Sequence, residues 1–318
     1  MQTASACRPL RMWIAATLAA AAPFCAVYSA VAQEPPDDSS VAQESPKQSI
    51  AANQTRIEAD PAAAMLDAGF RCMYELNFKA ARAEFSAYQK VHPEDPMGKA
   101  AEAASYLFEQ LNAKGVLTSA FFLNDSKFLN GADGSPAENR NQAFLDANRV
   151  ARDQAKKILK ANPVDTHGLF ILTMTDGMEA DYDAIIQKKQ MAGLSLVKQA
   201  ESEANTLLAL DPNAQDAYVA LGAGNYIIGS LPGYKRMFLW MGGIHGDRQR
   251  GMDQLQSAAS NGHYLQPFAK ILLALASERE HQHERARSLL SELAIQFPAN
   301  PLFSRELALL QQRPSGAR

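Results

Sequence analysis

From Gln199 to Tyr226 the hydrophobic positions recur at helical spacing. Ala200, Ala204 and Leu207 fall at i, i+4 and i+7, Pro212 ends the run, and Tyr218, Leu221 and Gly222 open another apolar stripe. A proline pushes the residue before it out of the α region. The pattern therefore predicts the second helix of one hairpin, a turn, and the first helix of the next. The same spelling, Ala-x3-apolar-x2-apolar-x4-Pro, occurs at Ala81/Phe85/Tyr88/Pro93, Ala151/Ala155/Ile158/Pro163, Ala200/Ala204/Leu207/Pro212 and Ala286/Leu290/Leu293/Pro298. The Ala-to-Pro distance is twelve residues in all four copies, and the copies lie 70, 49 and 86 residues apart from Pro to Pro. Recurrence at one spacing predicts a repeat architecture, and the unequal intervals require degenerate units or insertions.

Helical patterning predicts further elements over about 62–76, 79–91, 97–112, 137–161, 165–189, 266–280, 283–296 and 300–311, with Pro61 as a first helical residue. Lys114 to Asn141 reads as an irregular piece, a turn of amphipathic helix capped by a loop and packed over the hairpin before it. No run of alternating residues bounded by turns marks a strand. The expected class is all-α.

The repeated residues resemble tetratricopeptide repeats. Ala62 to Pro93 carries Gly69, Phe78, Ala81, Phe85 and Pro93 at the matching places, and the segment from Gln215 supplies Tyr218, Leu221 and Gly222. Cys72 and Tyr88 depart from the pattern, standing where an aromatic and Ala are usual. The resemblance implies a TPR-like α-solenoid of stacked antiparallel helical hairpins over residues 61–312, with degenerate repeats and insertions. In that family the first helix of each hairpin lines a concave groove. This implies groove positions at Phe70, Met73 and Tyr74, then Phe170, Met174 and Met178, then Asp216, Val219, Ala223 and Tyr226. Methionine beside aromatics suits an adaptable peptide-binding surface. The competing reading packs these side chains against neighbouring helices.

Eight of the eighteen glycines lie between Gly222 and Gly251. Within this stretch Gly229–Gly246 interrupts what a repeat would make a tight turn, and carries Tyr234, Met237, Phe238, Leu239, Trp240 and Met241. So much apolar surface either tucks into the adjacent hairpin or projects as a lip over one end of the groove. The lip reading makes Tyr234, Phe238 and Trp240 partner-binding residues.

The ends of the chain carry different signals. Arg8 and Arg11, an apolar run from Met12 to about Val31, and Ala30-Val31-Ala32 together read as a signal peptide over residues 1–32. A membrane anchor is disfavoured by the Ala-rich, weakly hydrophobic run, and Ala22-Pro23-Phe24 is a poor lipobox for Cys25. Residues 33–60 are rich in Pro, Gln, Ser, Glu and Asp and read as a disordered linker; 313–318 is a polar tail. Cleavage after Ala32 lowers the basic count from 31 to 29 against 34 acids, a net charge of −5. Nothing in that balance points to nucleic acid. Cys72 alone remains of three cysteines, so no intramolecular disulfide can form; on the apolar helix face it reads as a small core residue.

Catalytic signatures are missing: the sequence holds no phosphate-binding loop, zinc-helix motif, nucleophile elbow or C-x-x-C. Ser195-Leu-Val-Lys198 fits S-x-x-K, but its partner motifs are absent. Glu278, His281, His283 and Glu284 cluster at an expected turn without a second ligand group. Asp176, Glu179 and Asp183 share one helix face, read as solvated or, less simply, as facing a groove. The expectation is an exported scaffold or adaptor, periplasmic or secreted, that binds a protein or peptide in the cell envelope. It carries no catalytic residues, cofactor, metal site or stable membrane span in the mature chain. The alternative is a periplasmic small-molecule-binding solenoid associated with a transport system.

Overall fold

The repeated alanine of four second helices lets the two helices of a hairpin approach closely, and the apolar residues one and two turns on fill the space beside it. The computed structural model describes residues 61–133 and 138–312. In chain order the helices are α1 (Pro61–Tyr74), α2 (Phe78–Val91), α3 (Met97–Ala113), α4 (Ser119–Phe122), α5 (Asp125–Asn130), α6 (Glu138–Ala161), α7 (Thr166–Asp181), α8 (Gln190–Leu210), α9 (Tyr218–Gly229), α10 (Gly233–Met241), α11 (Arg248–Asn261), α12 (Gln266–Arg279), α13 (His283–Gln296) and α14 (Pro301–Gln311). They pair as α1/α2, α3/α6, α7/α8, α9/α11 and α12/α13, each hairpin packing on the next, and α14 packs on α13. No strand occurs among the described residues. The expected leader (1–32), linker (33–60) and tail (313–318) lie outside the described residues.

The repeated spelling maps onto second helices. Ala81 and Phe85 in α2, Ala151 and Ala155 in α6, Ala204 and Leu207 in α8, and Ala286 and Leu293 in α13 are all buried. His92, Asp211 and Phe297 leave helical geometry just before Pro93, Pro212 and Pro298, as the proline ring demands. The long intervals now have causes. α4 and α5 are inserted between α3 and α6. The widest interval contains the extra hairpin α9/α11, whose second helix runs into Asn261-Gly262 and has no proline.

Two local expectations fail. The helix expected over 165–189 stops at Asp181, passes through a π-helical turn at Tyr182–Ile186, and reverses at Lys188 with φ 58°. Here the Ile185 carbonyl is turned out to accept from the Ala132 amide at 2.9 Å. The insertion α4–α5 does not simply cover the preceding hairpin. Arg279 of α12 donates to the Phe122 carbonyl at 2.6 Å, and its guanidinium lies 4.4 Å from the Phe128 ring centroid. Glu306 of α14 accepts from the Ser119 amide at 3.0 Å. α4 and α5 thus link the middle of the chain to its last helices.

The first two hairpins also meet the last ones. Tyr264 stacks on Phe70 at 4.8 Å between ring centroids, Phe268 meets Phe108 edge-on at 6.1 Å, and Phe297 tilts against Tyr74 at 5.5 Å. The Tyr74 hydroxyl donates to the Tyr264 carbonyl at 2.9 Å, and Asn300 Nδ2 donates to the Tyr74 carbonyl at 2.8 Å. One apolar core therefore runs from α1 to α14.

Candidate docking surface

The first-helix positions expected to line a groove are occupied by the protein itself. Phe70, Met73, Tyr74, Met174, Val219 and Tyr226 are buried, and Phe170 and Met178 are half-buried against the same core. The aromatics of the α11–α12 turn and of α12–α14 fill the space a peptide would take next to α1. Burial drives the Tyr74 phenol well above its ordinary pKa, with the Asp216 charge adding to it. Burial does the same to Tyr226, reinforced by the Glu280 carboxylate, from which Tyr226 Oη lies 3.3 Å. Asp216 also turns inward. Its carboxylate accepts from the backbone amides of His263 (2.8 Å), Tyr264 (2.9 Å) and Leu265 (3.3 Å), fixing the turn that leads into α12. These residues hold the fold together, which corrects the expected partner-lining role.

The insertion at Gly229–Gly246 behaves differently. Its two ends pass back to back: a Cβ on Gly246 would lie 2.5 Å from the Gly229 nitrogen and 2.5 Å from Ile228 Cβ, so only a residue without a side chain closes this neck. Between them Pro232 sets the chain up for α10. The helix ends in a Schellman motif: Gly243 takes φ +71°, its amide donates to the Trp240 carbonyl, and the Ile244 amide donates to the Leu239 carbonyl at 2.9 Å. Neither sequence expectation for this stretch, a lip over the groove or apolar surface tucked into the adjacent hairpin, specifies a helix. The 3–4 spacing of Tyr234, Met237, Phe238 and Met241, with Pro before and Gly after, was the signal for a helix.

α10 is amphipathic in the inverted sense. At 100° per residue Trp240, Met237, Met241, Tyr234 and Phe238 fall within an arc of roughly 160°, and all five are exposed, from 56% for Met237 to 73% for Met241. The opposite side holds Lys235, Leu239 and Arg236, of which Lys235 and Leu239 are half-buried. Arg236 donates to the Gly229 carbonyl at 3.1 Å, and Lys198 of α8 donates to the Gly242 carbonyl at 2.9 Å. The helix is thus tethered at both ends by polar contacts while its apolar side faces water. Of the expected site residues, Tyr234, Phe238 and Trp240 stand together here, apart from the other nine.

No family model matches the chain, and no curated protein does. Among solved structures it is similar to a thermophilic TPR protein of Thermus thermophilus, at 14% identity over 79% of this chain and all of that one, with a TM-score of 0.42. That score is too low to carry weight; the stacked hairpins with buried Ala and terminal Pro do. The fold is TPR-like. Its departures from a regular repeat array are the α4–α5 insertion, the projecting α10 and the contacts between first and last hairpins.

The remaining chemistry is internal. Asp176, from the acidic row, is buried and pairs with Arg152 Nε at 2.7 Å; Glu179 takes the same guanidinium at 2.9 Å. Asn148 donates to the Thr175 carbonyl at 3.2 Å, and Gln199 of α8 accepts from Arg152 at 3.2 Å. Glu203, also on α8, keeps Oε2 buried with no hydrogen-bond partner among the described residues. Burial and the Asp176 charge push its pKa up to about 8, against the pull of Arg152 and Lys156. One arginine of α6 serving two carboxylates of α7 and an amide oxygen of α8 is a packing network, and sequence reading missed both Arg152 and Glu203. Ser195 is exposed, and Lys198 is committed to Gly242. Glu278 is buried 3.1 Å from His283 Nδ1, while His281 is the turn residue at φ 59°. Among the described residues lie a cavity of about 10 Å³ walled by Glu278, Glu306, Ser119 and apolar residues, the size of one water, and an open cleft of about 230 Å³ between α3 and α6.

Proposed function

We propose that this protein is a non-catalytic scaffold of the cell envelope that docks through the outward apolar face of α10. A TPR-like fold suggests an interaction scaffold. The concave positions such scaffolds use are filled here by the chain's own aromatics, so the docking role passes to α10, which turns its apolar side to water. The observation that carries the reading is the exposure of Tyr234, Met237, Phe238, Trp240 and Met241 on a single, tethered helix. Exposed apolar clusters of this kind mark interaction sites in soluble proteins. Export is supported by Arg8, Arg11, the apolar run and Ala30-Val31-Ala32, with cleavage after Ala32; N-terminal sequencing of protein from a periplasmic fraction checks it, and an intact Met1 refutes it.

The docking role is tested with Phe238→Ser/Trp240→Ser in the full chain, expressed in cells and fractionated. Because neither side chain supports the core, the melting temperature should stay close to that of the parent. Co-sedimentation with the envelope, membranes and envelope proteins together, should be lost. Unchanged envelope association in the double variant overturns the reading, and a large drop in melting temperature returns α10 to the core.

A further inference from the structure

We propose that the surface α10 docks onto is a lipid membrane bearing anionic headgroups. This rests on α10 being the docking element and adds what it docks to. Around the helix the order is Lys235, Phe238, Tyr234, Met241, Met237, Trp240, Arg236, and then Leu239 facing the protein. A cation therefore stands on each edge of the apolar arc, Lys235 beside Phe238 and Arg236 beside Trp240. When such a helix lies in a membrane interface, its apolar arc enters the acyl boundary while the flanking cations stay at headgroup depth. Trp is among the side chains that favour that boundary.

Charge supports the same occupant. No Asp or Glu occurs between Asp216 and Asp247, and Lys235, Arg236, Arg248 and Arg250 fall in or just after the insertion, on a chain whose formal net charge is −3. Arg248 is engaged by Glu280 at 3.2 Å; the cations on α10 itself meet only backbone carbonyl among the described contacts, Arg236 to Gly229. α10 has nine residues, far short of the roughly 20 needed to span a bilayer, and among the described residues no helix is long and apolar enough to cross one. The helix lies on the surface. The polar tethers at Arg236 and Lys198 keep its free side turned away from the repeats, the orientation a flat surface requires.

The chain has two tryptophans, Trp13 and Trp240, so Trp13→Phe makes Trp240 the sole fluorophore and its emission reports α10 alone. The probe is vesicles of phosphatidylcholine with and without phosphatidylglycerol, free of protein. With phosphatidylglycerol, Trp240 emission should shift to the blue and lose access to acrylamide. Binding should be roughly tenfold or more stronger than to neutral vesicles, falling as salt rises. Lys235→Gln/Arg236→Gln should remove the anionic preference, and Met237→Ser/Met241→Ser should remove binding. No blue shift on anionic vesicles, with envelope association still dependent on Phe238 and Trp240, overturns the lipid assignment and leaves docking to a protein. Equal shifts on neutral and anionic vesicles overturn the headgroup choice. A blue shift that grows with protein concentration in the absence of lipid overturns it in favour of a second copy of this chain.

Discussion

Replacing Gly251 by Ala separates two effects that usually travel together. α9 and α11 cross where Gly222 faces Gly251. A Cβ on Gly251 would lie 2.5 Å from the Tyr226 nitrogen, and 2.8 Å from both the Gly222 oxygen and Tyr226 Cα. All three atoms are backbone, so no rotamer change relieves the clash, and the helices must part by about 1 Å to restore ordinary contact distances near 3.5 Å. That parting strains the packing of Met252 and Leu255, both buried at 1% exposure, and overpacking of this kind costs about 1–3 kcal/mol, towards the upper end where backbone must move. Alanine returns about 1 kcal/mol through its better helix propensity. The net is a loss of about 1–2 kcal/mol, or roughly 2–8 °C in melting temperature for a domain of this size. Gly177, inside α7, supplies the control, since nothing lies within 4 Å of its Cβ position. There Gly177→Ala should keep only the propensity gain, about 0.5–1 kcal/mol of added stability. Thermal and urea unfolding of both variants decide the matter. A Gly251→Ala variant as stable as the parent, or a Gly177→Ala variant that loses as much, refutes the assignment of Gly251 to a backbone crossing.

Asp216→Ala should leave three amides at the start of α12 without an acceptor and cost about 2–4 kcal/mol in urea unfolding; a change below about 0.5 kcal/mol would mean water replaces the carboxylate. The folded state raises the Glu203 pKa from its ordinary 4.5 to about 8, so between those values it holds a proton that the unfolded chain releases. This contribution is fully present below about pH 4.5 and is lost as pH rises through about 8, a fall on the order of 1–2 kcal/mol once partial solvent screening is allowed for. Glu203→Gln should flatten that part of the pH–stability curve, and a variant with the parent's slope would place the effect elsewhere. Asp95 works in the opposite direction. Its burial is outweighed by hydrogen bonds from His167, Tyr88 and the Met97 amide, which hold its pKa to about 2, so its stabilisation is present above the ordinary 3.8 and is lost as pH falls through about 2. Asp95→Asn should reduce stability at neutral pH and narrow its gap from the parent in acid.

Much of this was legible in the sequence for identifiable reasons. The Ala-to-Pro spelling reports close helix approach and forced termination, both local consequences of side-chain size and backbone geometry. It located the second helices α2, α6, α8 and α13. Gly222 and Gly69 fall at the repeat pattern's small-residue position, and the structure puts Leu255 and Phe85 against them. What failed were long-range contacts. Phe70 and Tyr74 have the same spelling whether they face a groove or a neighbour, and the neighbours, Tyr264 and Phe297, lie far along the chain. The acidic row misled because an exposed carboxylate and one paired with Arg152 look alike at i, i+3, i+7. The insertion was legible in part: glycine cost and apolar content marked Gly229–Gly246 as unusual, but only three-dimensional placement determined which way α10 turned.

The hydrogen bonds joining Tyr74 to Tyr264 and Asn300 to Tyr74 close sequence separations of 190 and 226 residues. In a repeat array whose units touch only their neighbours, folding can begin anywhere and spread, and end units fray independently. Here the inner face of the first hairpin stays uncovered until the last helices exist, so native contacts of very high order must form before the core is complete, and such contacts slow folding. During synthesis α1 and α2 emerge first and wait for α12 to α14. Loss of α14 should accordingly loosen α1, at the other end of the chain, and melting should be a single cooperative event. The same delay keeps the polypeptide open for as long as it is incomplete.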